Sequence, residues 1–169
     1  LHKLRSSGKK LFLLTNSLFD YTDAVMRFLL DGERKAYPSW RNYFDVIVVG
    51  GAKPAFFNER RPFVQIDPVT AQLIHNGEVR SLVRDRVYQG GNLRDFERWL
   101  HVEGDAVLYV GDHIFGDILR SKKETAWRTT MIVQEMETEI TAFEQTREHV
   151  AEVDAIARQR DRLEDELRF

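Results

Sequence analysis

The sequence contains no cysteine, which excludes disulfides, thiolate metal sites and cysteine nucleophiles. It also lacks any apolar run near the ~20 residues that cross a bilayer as a helix. Its N-terminus, Leu1-His2-Lys3-Leu4-Arg5, runs into polar SSGKK rather than an apolar segment, so no signal peptide is read there. Charge of one sign is missing as well. The 25 Lys+Arg nearly balance 27 Asp+Glu, for a formal net charge of -2. That leaves no electrostatic case for nucleic acid or an anionic membrane as partner. No internal repeat and no low-complexity linker is visible. The expectation is a soluble, intracellular protein of the cytoplasm.

What is present begins with length. A chain of 169 residues can bury one real core. Leu1 to Arg5 reads as a last helical turn closed by Gly8. The apolar run Lys10-Leu11-Phe12-Leu13-Leu14 reads as a strand that ends at Thr15-Asn16-Ser17. A helix then starts at Asp20 or Thr22 and stops at Asp31-Gly32. The charged and aromatic stretch from Glu33 to Tyr43 reads as a loop or lid-like excursion. Phe44 to Val49 is a second strand, followed by Gly50-Gly51 and by Lys53, which Pro54 biases to extended backbone.

Residues 54–91 differ in character. Phe63 to Asp67 and Gln72 to His75, joined across Pro68-Val69-Thr70, read as a β-hairpin. Asn76-Gly77 and Gly90-Gly91 add turn signals around a short strand at Arg86-Val87-Tyr88. The stretch is expected to be an antiparallel insertion outside the main sheet. Asn92 caps a helix whose apolar stripe is Leu93, Phe96, Trp99 and Leu100.

VLYVGDHIFGDILRSKK, Val107 to Lys123, organises what remains. Val107 to Val110 reads as a buried parallel strand, Gly111 ends it, and Asp112 and Asp117 lie at its mouth. Ligands of open α/β sheets sit outside the carboxyl ends of the strands. Two close carboxylates suit a hard cation such as Mg²⁺ that also reaches substrate phosphate. Alternatively, Asp112 caps the helix and Asp117 is a first-turn acid favoured by the dipole. Ala126 to Val133 is the last strand. From Glu135 onward apolar residues recur at Met136, Ile140, Phe143, Val150, Val153, Ile156, Leu163 and Leu167. That spacing gives one long amphipathic helix or a helical hairpin. It either lies across its own domain or packs a second copy, which would make a homo-oligomer. The domain reading is residues 1–134 as an α/β core and 135–169 as a helical extension.

Three strand mouths therefore offer Thr15-Asn16-Ser17, Lys53, and Asp112 with Asp117. A hydroxyl, a cation and a carboxylate pair fit phosphoryl chemistry. The hydroxyl and nearby N–H groups would hold phosphate oxygens, and the lysine would offset developing charge. Taken singly, Thr15 could be a helix cap and Lys53 a solvated surface lysine.

This order resembles motifs two, three and four of the haloacid dehalogenase-like (HAD) superfamily of phosphotransferases. In detail the chain is similar to the cytosolic purine 5′-nucleotidase family of the IMP/GMP-preferring type. The residues carrying the likeness are FLLTNSLFDYTD (Phe12 to Asp23), Lys53 to Phe57, Val87 to Gly91, VLYVGDHIFGDILRSKK, and Trp127-Arg128-Thr129. They span Lys10 to about Ile140. The resemblance implies a Rossmann-like parallel sheet with helices on both faces. It implies Thr15, with Asn16 and Ser17, and Lys53 as phosphate-binding residues, and Thr15, Lys53 and Asp112 as catalytic ones. Asp112 and Asp117 would be the Mg²⁺ site, Asp112 as direct ligand and Asp117 supporting the shell. The implied reaction is hydrolysis of purine nucleoside 5′-monophosphates through a phospho-aspartate.

The chain departs from that pattern in two respects. Motif one, an Asp-x-Asp after an apolar strand, should lie well upstream of Lys10. No aspartate occurs before Lys10, and no Asp-x-Asp follows a strand later. Leu18 also occupies a position where relatives often have an acid. In such sheets the motif-one strand lies between those of motifs two and four. The expectation is therefore an incomplete core, with a gap exposing apolar surface and unpaired backbone. The nucleophile would come from an N-terminal part of the same protein, and this chain alone would be inactive. The competing expectation is a non-catalytic HAD-like scaffold that binds a phosphate ligand or a protein.

Overall fold

Four consecutive apolar residues, Val46 to Val49, are all buried, so this strand must be covered on both faces. A computed structural model describes residues 1–74 and 79–167. In it α1 (His2–Ser6) leads to β1 (Phe12–Leu14), then α2 (Phe19–Leu30) and β2 (Val46–Val49). The strands β1 and β2 pair in parallel. Side chains alternate across β2. Val46 and Val48 join Leu14, Phe56, Phe57 and Phe96 on one face, and Ile47 and Val49 join Phe19, Trp40 and Tyr43 on the other. Helices α3 (Ala55–Asn58) and α4 (Leu93–Leu100) supply the first face, and α2 supplies the second. The expected α/β architecture with helices on both faces is present. The α2 helix starts one residue ahead of Asp20 because Phe19 is buried and draws the first turn onto the core. Asn92 caps α4 as read, its side chain accepting from the Asp95 N–H at 3.0 Å.

Two expectations are corrected. The stretch before Phe44 is no lid: Trp40–Tyr43 forms a 3-10 turn in which Trp40 and Tyr43 are buried. Trp40 donates from its indole to Asp23 at 2.8 Å and from its backbone to Asp31 at 2.6 Å, which ties the turn to α2. Nor does the hairpin stand outside the main sheet. Strands β3 (Phe63–Ile66), β4 (Leu73–Ile74) and β5 (Val87–Gly90) extend it in the order β1-β2-β5-β3-β4. The β5 strand runs parallel to β2 and antiparallel to β3, so the sheet is mixed. The reason is burial. Val87 and Tyr88 point to opposite faces and each joins a different half of the core. The Asn76-Gly77 turn signal and His75 fall outside the described residues.

Beyond α4 the chain forms a second, two-stranded parallel sheet of β6 (Leu108–Gly111) and β7 (Arg128–Met131). Among the described residues β1 pairs only with β2, and β6 only with β7. Tyr109 of β6 and Trp127 pack with Phe12, Phe57 and Phe96. The opposite face of β6 leaves Leu108 and Val110 exposed.

Residues 1–131 form one compact unit and 132–169 a second. The second holds α6 (Met136–Leu167), a single 32-residue helix rather than a hairpin, and it buries none of its residues. No described helix is long and apolar enough to cross a membrane.

Candidate phosphate and metal site

The mouths of β1 and β2 are laced together. The Gly51 N–H donates to the Thr15 carbonyl at 2.9 Å, and the Gly50 N–H to the Ser17 carbonyl at 2.8 Å. A Cβ on Gly51 would lie 2.9 Å from Leu14 Cδ1 and 3.3 Å from the Thr15 carbonyl oxygen, so a side chain there would crowd this approach. Asn16 reaches across with both side-chain atoms. Its Oδ1 accepts from the Lys53 N–H at 2.6 Å, and its Nδ2 donates to the Lys53 carbonyl at 3.0 Å. Thr15 Oγ1 accepts from the Ser17 N–H at 3.1 Å, which closes a tight turn and leaves the hydroxyl proton to donate outward. Ala52, one residue before Lys53, is held at φ 53, a left-handed geometry that costs a non-glycine residue about 1–3 kcal/mol and gathers at functional loops.

The third mouth comes from β6. After Gly111 the chain enters a π-helical segment, Ile114–Leu119, then α5 (Arg120–Glu124). A π-turn widens the spiral and re-aims side chains, and here it turns Asp117 inward, where it is buried. The buried Ser121 hydroxyl donates to the carbonyls of Asp117 and Ile118, which holds that turn. Gly111 is required for space: a Cβ there would lie 2.7 Å from both Cβ and Oδ2 of Asp117.

These mouths meet at one ammonium. Lys53 Nζ donates to Asp117 Oδ1 at 2.6 Å, to the Tyr109 hydroxyl at 2.6 Å and to the Leu14 carbonyl at 3.3 Å. Lys53 and Asp117 side chains are each 9% exposed, so this is a buried ion pair. Tyr109 in turn donates to Asp117 Oδ1 at 2.9 Å. Burial pushes the Tyr109 phenol far above its ordinary value, and the adjacent Asp117 carboxylate and Asp112 push it further the same way. It therefore stays protonated, accepting from Lys53 and donating to Asp117. Burial works against ionising Asp117. The Lys53 hydrogen bond and charge, the Tyr109 hydroxyl and the His113 N–H outweigh that and hold its carboxyl below the usual range. Asp117 is thus a first-turn acid of the π-helical segment that is also ion-paired with Lys53.

The model of the 5′ nucleotidase family matches residues 1–169. This chain belongs to the 5′ nucleotidase family. It is 38% identical over 141 residues to a 5′-nucleotidase domain-containing protein of Dictyostelium discoideum, covering 83% of this chain and 24% of that one. It is 39% identical over 141 residues to 5′-nucleotidase domain-containing protein 2 of Rattus norvegicus, covering 83% and 24%. With the Homo sapiens protein of that name the identity is 38%, covering 83% and 26%. The chain thus spans about a quarter of the length of the curated relatives it matches.

Of the residues expected to form the site of this 5′ nucleotidase-family chain, Asn16, Lys53 and Asp117 are in direct contact. Thr15 and Ser17 are held beside them through Gly51 and Gly50. Asp112 lies one residue past β6, exposed and without a hydrogen bond among the described residues, close enough for its charge to act on the Tyr109 phenol. No cluster of three metal-binding side chains occurs among the described residues. The donors available, the Asp112 carboxylate and Asp117 Oδ2, are hard oxygens. They fit Mg²⁺, which takes one or two carboxylates and completes its shell with water and phosphate. In sequence Tyr109 is one of four apolar strand residues, Val107 to Val110, and carries no site signature of its own. Its alternation with Leu108 and Val110 was the available signal that it faces inward.

Proposed function

We propose that the intact protein hydrolyses purine nucleoside 5′-monophosphates in a Mg²⁺-dependent, HAD-type reaction, with this chain as its phosphate- and metal-binding half. The observation that carries the reading is the convergence of Lys53 and Asp117, 64 positions apart, at 2.6 Å beside the Thr15 turn. A lysine, a hydroxyl and a carboxylate pair gathered at strand mouths are what a phosphoryl-transfer site requires. The Thr15 hydroxyl would donate to a phosphate oxygen, and Lys53 would stabilise charge on the transferring group. Asp112 and Asp117 would hold Mg²⁺, which supplies neutralisation of phosphate charge.

The nucleophile would be an aspartate carried by a part of the protein outside residues 1–169, forming the phospho-aspartate that water later cleaves. Two facts support this. The relatives are more than three times as long, and among the described residues the strand mouths bearing Thr15 and Asp112 belong to β1 and β6, each paired on one side only. A strand between them would bring its end to the Lys53 ammonium. In a parallel pair alternate residues face alternate neighbours, and the Thr15 N–H bonds to β2. The Leu14 carbonyl therefore faces away from β2, toward the position of that strand. The same reading puts the protein in the cytoplasm and gives it its own N-terminal part as partner.

The experiment is a phosphate-release screen of nucleoside 5′-monophosphates with the complete gene product, in Mg²⁺ and in EDTA. Release from purine nucleotides that EDTA abolishes is the expected result. No release from any nucleotide would overturn the reading in favour of a HAD-like scaffold that binds phosphate or protein without turnover.

A further inference from the structure

We infer that Tyr109 is a positioning residue for the site, aiming the Lys53 ammonium through a one-way chain of hydrogen bonds from Lys53 to the phenol and from the phenol to Asp117. This deepens the function proposed above and rests on that reading for its kinetic part. An ammonium has three N–H donors, and all three are directed: Asp117 Oδ1 at 2.6 Å, the Tyr109 oxygen at 2.6 Å and the Leu14 carbonyl at 3.3 Å. The last is the loosest and neutral, so it is the one a phosphate oxygen would displace. The other two keep the head group in place while that exchange occurs. Lysine is a flexible four-carbon stem with a point charge, and Asp117 alone would fix one direction and leave rotation free. A second short contact removes that freedom.

Tyr109 is suited to this task by its packing. Its ring stacks on Phe12 with centroids 6.4 Å apart and meets Phe57 and Trp127 edge-on or tilted at 6.2 and 5.6 Å. The side chain is 5% exposed, so the hydroxyl is placed by a rigid aromatic cluster rather than by a mobile surface. Its hydroxyl meets Lys53 and Asp117, which come from two different strand mouths, so that one rotamer sets both.

The test is a double-mutant cycle in the full-length protein with Tyr109→Phe and Lys53→Met. It reads kcat, KM, the melting temperature, and the affinity for inorganic phosphate by calorimetry. Tyr109→Phe should lower kcat roughly 10- to 100-fold, the scale on which a misplaced group loses rate, with KM raised no more than phosphate affinity falls and the melting temperature little changed. Phosphate affinity should fall in Tyr109→Phe and in Lys53→Met, with no further fall in the double variant, because the hydroxyl acts through the ammonium. Additive losses in the double variant, an unchanged kcat and phosphate affinity, or a Tyr109→Phe protein that does not fold would each overturn the inference. If the wild type binds phosphate through Lys53 but turns over no nucleotide, the proposed function fails and the phosphate affinities still decide the role of Tyr109. If Lys53→Met does not weaken phosphate binding, both fail.

Discussion

Asn16 and Lys53 hold each other by two hydrogen bonds of opposite sense, the Asn16 amide accepting from the Lys53 N–H at 2.6 Å and donating to its carbonyl at 3.0 Å. The side chain imitates one rung of a sheet where β1 and β2 have ended. Asn16 thus acts on the lysine's backbone, whatever it contributes to phosphate directly. Replacing it by alanine frees the loop that carries Lys53. In the full-length protein Asn16→Ala should cost about 1–2 kcal/mol of stability, two modest hydrogen bonds. Turnover should fall more steeply, about 10- to 100-fold. Equal activity in both proteins would show that the loop is held by other means.

Lys53 and Asp117 form an ion pair with both side chains 9% exposed. Removing one partner strands the other charge, and buried pairs broken this way typically cost about 3–5 kcal/mol. Lys53→Met should therefore destabilise the full-length protein by about 3 kcal/mol, measured by urea denaturation. Adding Asp117→Asn should recover part of that loss, since the stranded carboxylate is gone. A double variant less stable than the sum of the single ones would contradict the pair.

The same carboxyl sets a direction with pH. Asp117 is held below its ordinary value of 3.8 in the fold, so the folded state binds fewer protons than the unfolded chain over that interval. Its contribution is complete above about pH 4 and is lost as the pH falls through the lowered folded value. In EDTA, the stability difference between wild type and Asp117→Asn should be constant near neutrality and shrink under acid. A difference that grows on acidification would reverse the assignment.

Asp112 is exposed, and its charge reaches the buried network only through the Tyr109 phenol. Asp112→Asn should leave the unfolding free energy of the metal-free protein within about 0.5 kcal/mol of wild type, as for other surface changes. It should remove most Mg²⁺-dependent phosphatase activity and the calorimetric signal of Mg²⁺ binding. Undiminished turnover would refute the metal role.

The strand β2 was legible as a short apolar run because a strand covered on both faces leaves little room for polar residues; β6 was legible by its apolar residues too, although Leu108 and Val110 stay exposed, and β7 is mostly exposed. The Asn92 cap and the Asp31-Gly32 stop were legible as local chemistry. Trp40 was not, because its burial depends on Asp23 of α2 and Asp31 just past its end, which meet its donors only after folding. The hairpin was seen as a hairpin, but its place beside β5 follows from which edge of β2 was available, and residue types do not encode that.

By itself the sequence determined which groups are available for chemistry: Thr15, Asn16, Ser17, Lys53, Asp112 and Asp117, each just beyond an apolar run. Strand ends and turns are written in local patterns. Only the tertiary structure decided that Lys53 is divided among Asp117, Tyr109 and Leu14, and that Asp112 stays outside that network. Those contacts join segments 39 to 64 positions apart, and side chains so distant in the chain are brought to hydrogen-bond range by core packing alone.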